Sequence, residues 1–152
     1  GGVYDNLGLE TAYKRYKTLL VSDGGGKLPA VDKVDRDWAR HSVRVLSVID
    51  GQVRSLRRRQ LLDAYERGDR LGTFWSIHST IASYGLGDPL DVDPTRAHEL
   101  AGTKTRHKKM NRKTQEGLIN WGYAICDTAL RQWVDRTLPK PSGLPYPKTK
   151  LT

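Results

Sequence analysis

The sequence predicts a mixed α/β fold with mostly parallel strands flanked by helices. Two short apolar segments have the pattern of strands, and a long segment without proline lies between them. A strand, a helix and a second strand in this order form a crossover unit, which is right-handed in nearly all sheets. A length of 152 residues suits one domain. We expect that domain over residues 1–136, followed by a Pro-rich tail.

The first strand follows a brief helix. Residues 9–16 are rich in tyrosine and in good helix formers, which predicts that helix. Residues 16–23 read Tyr-Lys-Thr-Leu-Leu-Val-Ser-Asp and are followed by three glycines. This apolar run predicts a buried strand that leads into a loop.

A long helix is predicted over residues 35–67. Apolar residues recur there at spacings of three and four, as on one side of an amphipathic helix: Leu46, Ile49, Val53 and Leu56. Asp35 and Asp37 are both candidates for the N-cap, and Gly68 follows the expected end. Gly51 weakens the helix interior by roughly 1 kcal/mol relative to alanine, so a break there is an alternative.

The second half predicts one strand, two helices and the tail. Residues 70–79 alternate aromatic and β-branched residues with small polar ones, which predicts the second strand. Asp93 and Pro94 are typical of a helix start, with Gly102 as its expected end. A last helix is predicted over residues 114–134, with this apolar stripe: Leu118, Trp121, Ile125, Ala129 and Trp133. Residues 137–152 are rich in proline, and we expect them to be extended or disordered.

The charge balance favours an anionic partner. Lys and Arg number 26 against 17 Asp and Glu, giving a net charge of +9. Six cations cluster in residues 104–113: Lys104, Arg106, Lys108, Lys109, Arg112 and Lys113. The simplest interpretation is a solvated face. Contact with anionic lipid headgroups is the second, worth about 1 kcal/mol per cation. Nucleic-acid binding is the third, because no recognition motif accompanies the charge.

Other reactive residue types are sparse. Cys126 is the single cysteine, which excludes an intrachain disulfide, and the four histidines are scattered, so we expect no metal and no cofactor. We interpret Cys126 and His78 as packed residues rather than as a nucleophile and a base. No apolar run reaches the roughly 18 residues of a membrane helix. A cytoplasmic or peripheral membrane location is expected.

The most specific motif stands at the start. Residues 1–9 read Gly-Gly-Val-Tyr-Asp-Asn-Leu-Gly-Leu. This resembles the stretch after the catalytic aspartate in bacterial patatin-like phospholipases. In those proteins the aspartate and the residues after it read Asp-Gly-Gly-Val-Tyr-Asp-Asn-Leu-Gly. The resemblance extends to residues 18–23 and to the Leu-Ile-Asn-Trp-Gly-Tyr-Ala run at 118–124. It therefore covers much of the chain outside the tail.

The resemblance implies the C-terminal part of a patatin-like fold and a lipid acyl hydrolase with a serine–aspartate dyad. The family serine lies in a Gly-x-Ser-x-Gly elbow, which does not occur in this sequence. The dyad aspartate is expected immediately before Gly1. No catalytic residue is then present, and the chain should be inactive alone. Its implied partners are an acyl-ester substrate such as a phospholipid and the upstream part of the same polypeptide.

Neither the glycine loop at residues 24–26 nor Asp5 fits a catalytic role in this family. The glycines at 24–26 follow a strand, as in the family's oxyanion loop, but Leu28 and Pro29 follow them instead of a helix. Asp5 is acidic and close to Gly1 and Gly2, yet Asp5 and Asn6 fit a turn that supports the preceding loop. The rival interpretation of the whole chain is a non-catalytic basic domain that binds nucleic acid or serves as a scaffold.

Overall fold

The computed structural model describes residues 5–33, 36–104 and 109–151, with the side chain of Asn6 left aside. Helices make up about 51% of the described residues and strands 9%. The prediction of a mixed α/β class is therefore confirmed. In the described ranges the sheet has two strands, so the larger sheet that the resemblance implies is not seen there.

The two strands are parallel neighbours joined through a long helix. Strand β1 spans Thr18–Asp23, helix α2 spans Trp38–Glu66 and strand β2 spans Leu71–Ser76, after a short helix α1 at Leu9–Arg15. The N–H of Leu71 donates to the carbonyl of Lys17 at 3.0 Å, and the N–H of Ile77 donates to that of Asp23 at 3.0 Å. Both strands advance by six residues between these bonds, which is the register of a parallel pair.

Only one face of β1 is covered. Leu19, Val21 and Asp23 are buried, whereas the alternate residues are exposed and Leu20 is 52% exposed. The prediction of a buried strand therefore holds for one face of β1, which carries Leu19, Val21 and Asp23. The physical reason is the two-residue period of a strand, which turns every second side chain away from the covered face.

Helix α2 begins and ends where its signals predicted. The carboxylate of Asp37 accepts from the N–H of Arg40 at 2.9 Å, which makes it the N-cap. Gly68, just beyond the C-cap Arg67, has a φ of +76° that glycine adopts without strain. The helix continues through Gly51, where a Cβ would meet open space. Its apolar stripe is largely uncovered, since Leu46 is 65% exposed and Ile49 is 50% exposed.

The chain divides into two compact units. The first comprises Gly1–Leu19 and Lys27–Leu71, and the second comprises Leu20–Gly26 and Gly72–Thr152. In the first unit, the guanidinium of Arg70 donates to the carbonyl of Tyr13 at 3.0 Å and lies 4.4 Å from the centroid of its ring. The hydroxyl of Tyr65 donates to the carbonyl of Leu19 at 2.7 Å.

The second unit is built on two capped helices. Helix α3 spans Pro94–Ala101 with Asp93 as its N-cap, and helix α4 spans Arg112–Trp133 with Asn111 as its N-cap. Their buried apolar cluster comprises Ala97, Leu100, Trp121, Ile125 and Leu151. The stripe predicted on α4 faces this side as far as Ala129, but Trp133 is 60% exposed.

The Pro-rich tail is tied to α4. It forms neither helix nor strand in residues 134–151, yet Leu151 is 0% exposed. The amide of Asn120 donates to the carbonyls of Tyr146 at 2.9 Å and Thr149 at 2.7 Å, and its oxygen accepts from the N–H of Tyr146 at 2.9 Å. These contacts give the tail a defined course, whereas its composition indicated an extended or disordered segment.

Candidate functional site

Asp5 connects the start of the chain to helix α2. Its Oδ1 accepts from the N–H of Glu10 at 3.1 Å and from Arg57 Nη1 at 2.7 Å. The side chain of Asp5 is 18% exposed and that of Arg57 is 24% exposed, so water screens the ion pair less than it would on an open surface. The carboxylate of Asp5 therefore links residues 5–10 to α2, whereas Gly1 and Gly2 lie outside the described residues.

The turn after Asp5 is tight. A single 3-10 turn spans Asn6–Gly8, and the N–H of Gly8 donates to the carbonyl of Asp5 at 3.2 Å. Leu7 has a φ of +76° and Gly8 a φ of +63°. Glycine adopts this left-handed conformation readily, whereas for leucine it is an uncommon and strained state. Residues 5–8 therefore form a constrained turn.

A cavity of about 430 Å³ lies beside this turn in the first unit. Its charged lining comprises Glu10, Lys14, Arg57, Asp63 and Arg67. Lys14 pairs with Glu10 at 2.5 Å, and that hydrogen bond raises the pKa of the Lys14 amine. Arg57 pairs with Asp5, and Arg67 pairs with Asp69 at 3.0 Å. The cations around this cavity are thus organised into ion pairs.

The basic segment is partly described. Lys104, Lys109 and Lys113 are exposed, while Arg106 and Lys108 lie outside the described residues. Arg112 is 88% exposed and donates to Glu116 Oε1 at 2.7 Å. The Thr149 hydroxyl also donates to Glu116. Both hydrogen bonds lower the pKa of the Glu116 carboxyl, and the bond from Thr149 has the larger effect. The exposed lysines are therefore accessible to an anionic surface. They belong to the second unit, whereas Asp5 belongs to the first.

The late motif at residues 118–124 supplies two structural contacts that the sequence alone did not assign. Asn120 is 0% exposed and binds the tail, as described above. The Trp121 indole N–H donates to the carbonyl of Ile77 at 3.0 Å, just beyond β2. One signal was available. Asn120 stands next to a stripe residue of an amphipathic helix, and a buried amide needs hydrogen-bond partners.

The remaining candidate residues are in ordinary structural settings. Cys126 is partly buried, and burial together with the charge of Asp127 raises the pKa of its thiol, which disfavours the reactive thiolate. His78 is partly buried, and its backbone N–H donates to Ser76 Oγ at 3.2 Å. In the glycine loop, the N–H of Gly25 donates to Asp23 Oδ1 at 2.9 Å, so a side chain already shapes this turn.

Comparisons with protein-family models, with curated proteins and with solved structures found no match to this chain. These comparisons neither support nor oppose the resemblance noted for residues 1–9, 18–23 and 118–124. Within the described ranges, no helix combines the length and the apolar character needed to cross a bilayer.

Proposed function

We propose that this chain is the C-terminal part of a bacterial patatin-like lipid acyl hydrolase. The observation that carries the proposal is the wording of residues 1–9, which resembles the stretch after the family's dyad aspartate. Lipid acyl esters, such as phospholipids, are the substrate class that this resemblance implies.

The contacts of Asp5 support this proposal. A catalytic aspartate must be held within about half an ångström of its working position, which requires rigid neighbours. Asp5 is bound by Glu10 and by Arg57 of α2, and the turn behind it is closed by Gly8. The dyad aspartate expected before Gly1 would thus lie a few residues along the chain from Asp5, which is anchored by these contacts.

Uncovered apolar surface favours a larger fold. Parallel sheets are normally covered on both faces and rarely consist of two strands alone. Here Leu20 of β1 is 52% exposed and Leu71 of β2 is 55% exposed, as is much of the apolar stripe of α2. An upstream part of the same polypeptide, supplying further strands and helices of a patatin-like fold, would bury these residues.

In the complete enzyme, the dyad would act in two steps. The elbow serine attacks the ester carbonyl while the aspartate before Gly1 accepts its proton, and the leaving alcohol takes that proton as the acyl-enzyme forms. Water then attacks the acyl-enzyme, with the aspartate as base, and releases the fatty acid and the serine. In this scheme Asp5 and Arg57 are positioning residues. Because this scheme places both dyad residues outside residues 1–152, it predicts no ester hydrolysis by these residues alone.

The exposed lysines suit a peripheral location at an anionic membrane. Lys104, Lys109 and Lys113 would approach lipid headgroups and bring the enzyme to its substrate. The protein would then be cytoplasmic or attached to a membrane surface.

The decisive experiment measures acyl-ester and phospholipid hydrolysis by the intact polypeptide. Replacing the aspartate before Gly1 by alanine should abolish hydrolysis without unfolding the protein. Loss of activity on Asp5→Asn in a folded protein, with full activity kept without the preceding aspartate, would contradict the dyad assignment. An inactive intact protein that binds duplex DNA in a salt-dependent way would favour the rival basic domain.

A further inference from the structure

A second cavity lies in the second unit, at the end of β2. Its volume is about 420 Å³, and its apolar lining includes Ile77, Ile81, Val92, Ala97, Ala101 and Trp121. The N–H of Ile77 donates to the carbonyl of Asp23, so the cavity lies beside the carboxyl ends of the two parallel strands. Ligands of open α/β sheets commonly bind in the crevice at that edge.

Hydrogen bonds hold the walls of this cavity in place. Trp121 is 2% exposed, and its indole N–H is bonded to the carbonyl of Ile77 at 3.0 Å. The hydroxyl of Tyr84, next to the 77–82 wall, donates to the carbonyl of Phe74 at 2.9 Å. The N–H of Asp93, at the start of α3, donates to the carbonyl of Leu151 at 2.6 Å. The volume is therefore preformed, as in most small-molecule sites.

The rim of the cavity is polar and carries a negative charge. Thr80 and His98 are exposed there, and a neutral imidazole both donates and accepts hydrogen bonds. Asp91 is also exposed and is the one carboxylate among the residues that line the cavity. The carboxylate of Asp91 repels an anionic headgroup at short range. The net charge of +9 on the whole chain repels a cationic headgroup at longer range.

We propose that this cavity binds a neutral amphiphile, with an aliphatic body against Ile77, Ile81 and Trp121 and a hydroxyl or carbonyl group at the rim near His98 and Thr80. A medium-chain alcohol or a monoacylglycerol has this chemistry. The proposal concerns binding without reaction. It goes beyond the proposed hydrolase activity and does not depend on it.

The headgroup preference tests the electrostatic part. Binding of 1-decanol, decanoate and decylamine to the intact protein is measured by calorimetry, and 1-decanol should bind most tightly. Asp91→Asn should strengthen decanoate binding by about two- to fivefold relative to 1-decanol binding, because it removes one exposed negative charge. Tighter binding of decanoate or decylamine than of 1-decanol by the unaltered protein would overturn the proposal.

A matched pair of variants tests the location. Ala82 lines the cavity and is exposed, so Ala82→Trp fills the mouth without burying a new group in the core. Its neighbour Ser83 is exposed and is not part of the lining. Ala82→Trp should weaken 1-decanol binding by about tenfold or more, whereas Ser83→Trp should not.

A spectroscopic measurement keeps the test independent of variant folding. In the unaltered protein, nuclear Overhauser effects should connect the decanol methylenes to the Trp121 indole. Absence of these contacts at saturating decanol, or equal binding by the two tryptophan variants, would overturn the site. Hydrolysis assays do not enter, so failure here is distinguishable from failure of the proposed function.

Discussion

Arg131 Nη2 and Asp127 Oδ2 lie 2.9 Å apart on successive turns of α4, with side chains only 5% and 10% exposed. Arg131 Nη1 also donates to Asp88 Oδ1 at 2.8 Å, and Nη2 donates to the backbone carbonyl of Asp88 at 3.1 Å. One guanidinium therefore joins α4 to the loop that precedes α3. Burial makes this ion pair costly to break, because the partner left behind keeps a charge away from water.

Arg131→Leu should destabilise the intact protein by about 3–5 kcal/mol, because Asp127 is left buried without its cation. The measurement is the free energy of unfolding in urea. The matched control is Arg136→Leu, since Arg136 is exposed and should change that free energy by less than about 0.5 kcal/mol. Equal effects of the two substitutions would mean that the Arg131 network contributes no special stability.

The ion pair between Asp5 and Arg57 should show coupling in a double-mutant cycle. With Asp5→Asn, Arg57→Gln and the double variant, we expect a coupling energy of about 1 kcal/mol in urea unfolding of the intact protein. The pair is partly shielded, which places it above a fully exposed pair. Lys14 and Glu10 serve as the exposed comparison, with a smaller expected coupling. A coupling near zero for Asp5 and Arg57 would remove the proposed anchor.

The lysines of the basic segment should confer a preference for anionic vesicles. Lys109→Glu with Lys113→Glu should reduce binding of the intact protein to vesicles that contain phosphatidylserine, and the reduction should shrink as salt rises. The control pair is Lys140→Glu with Lys148→Glu, which changes the charge equally in the exposed tail. Equal loss with both pairs would leave net charge, rather than this segment, as the cause.

Glu116 should make stability depend on pH in the acid range. In the folded protein, hydrogen bonds from Thr149 and Arg112 lower the pKa of the Glu116 carboxyl below its ordinary value of 4.5. A lowered pKa adds stability that is present above the unfolded value and is lost as the pH falls through the folded one. The difference in urea midpoint between the unaltered protein and Glu116→Gln should therefore be constant near neutrality and narrow below about pH 4.5. A difference that widens on acidification would have the wrong sign.

Local signals predicted the secondary structure well. The spacing of Leu46, Ile49 and Leu56 predicted α2, and Asp37, Asp93 and Gly68 marked helix ends that the structure confirms. These signals succeed because caps and periodicity act within a turn or two of the chain. The same spacing did not reveal that the stripe is exposed, since covering a helix face depends on residues far away in sequence.

Contacts between residues far apart in the chain could not be predicted from the sequence. Asn120 and Tyr146 are 26 positions apart, and Asp5 and Arg57 are 52 apart. Many donors and acceptors of the same chemical type lie at comparable separations, so residue type alone does not select the partner. The cavity beside Trp121 was missed for the same reason, because its walls come from a strand end, a loop and two helices. The proline content of the tail gave no indication of its contacts with Asp93, Glu116 and Asn120.

The burial of Leu151 bears on the order in which the molecule is made. This residue packs with Ala97 and Leu100, which precede it by some fifty positions, and it is fully enclosed. During translation, α3 and α4 emerge from the ribosome before the side chain that seals their cluster. The second unit must therefore pass through a nascent state with an unsealed apolar surface, and this interval is when a chaperone would have access to it.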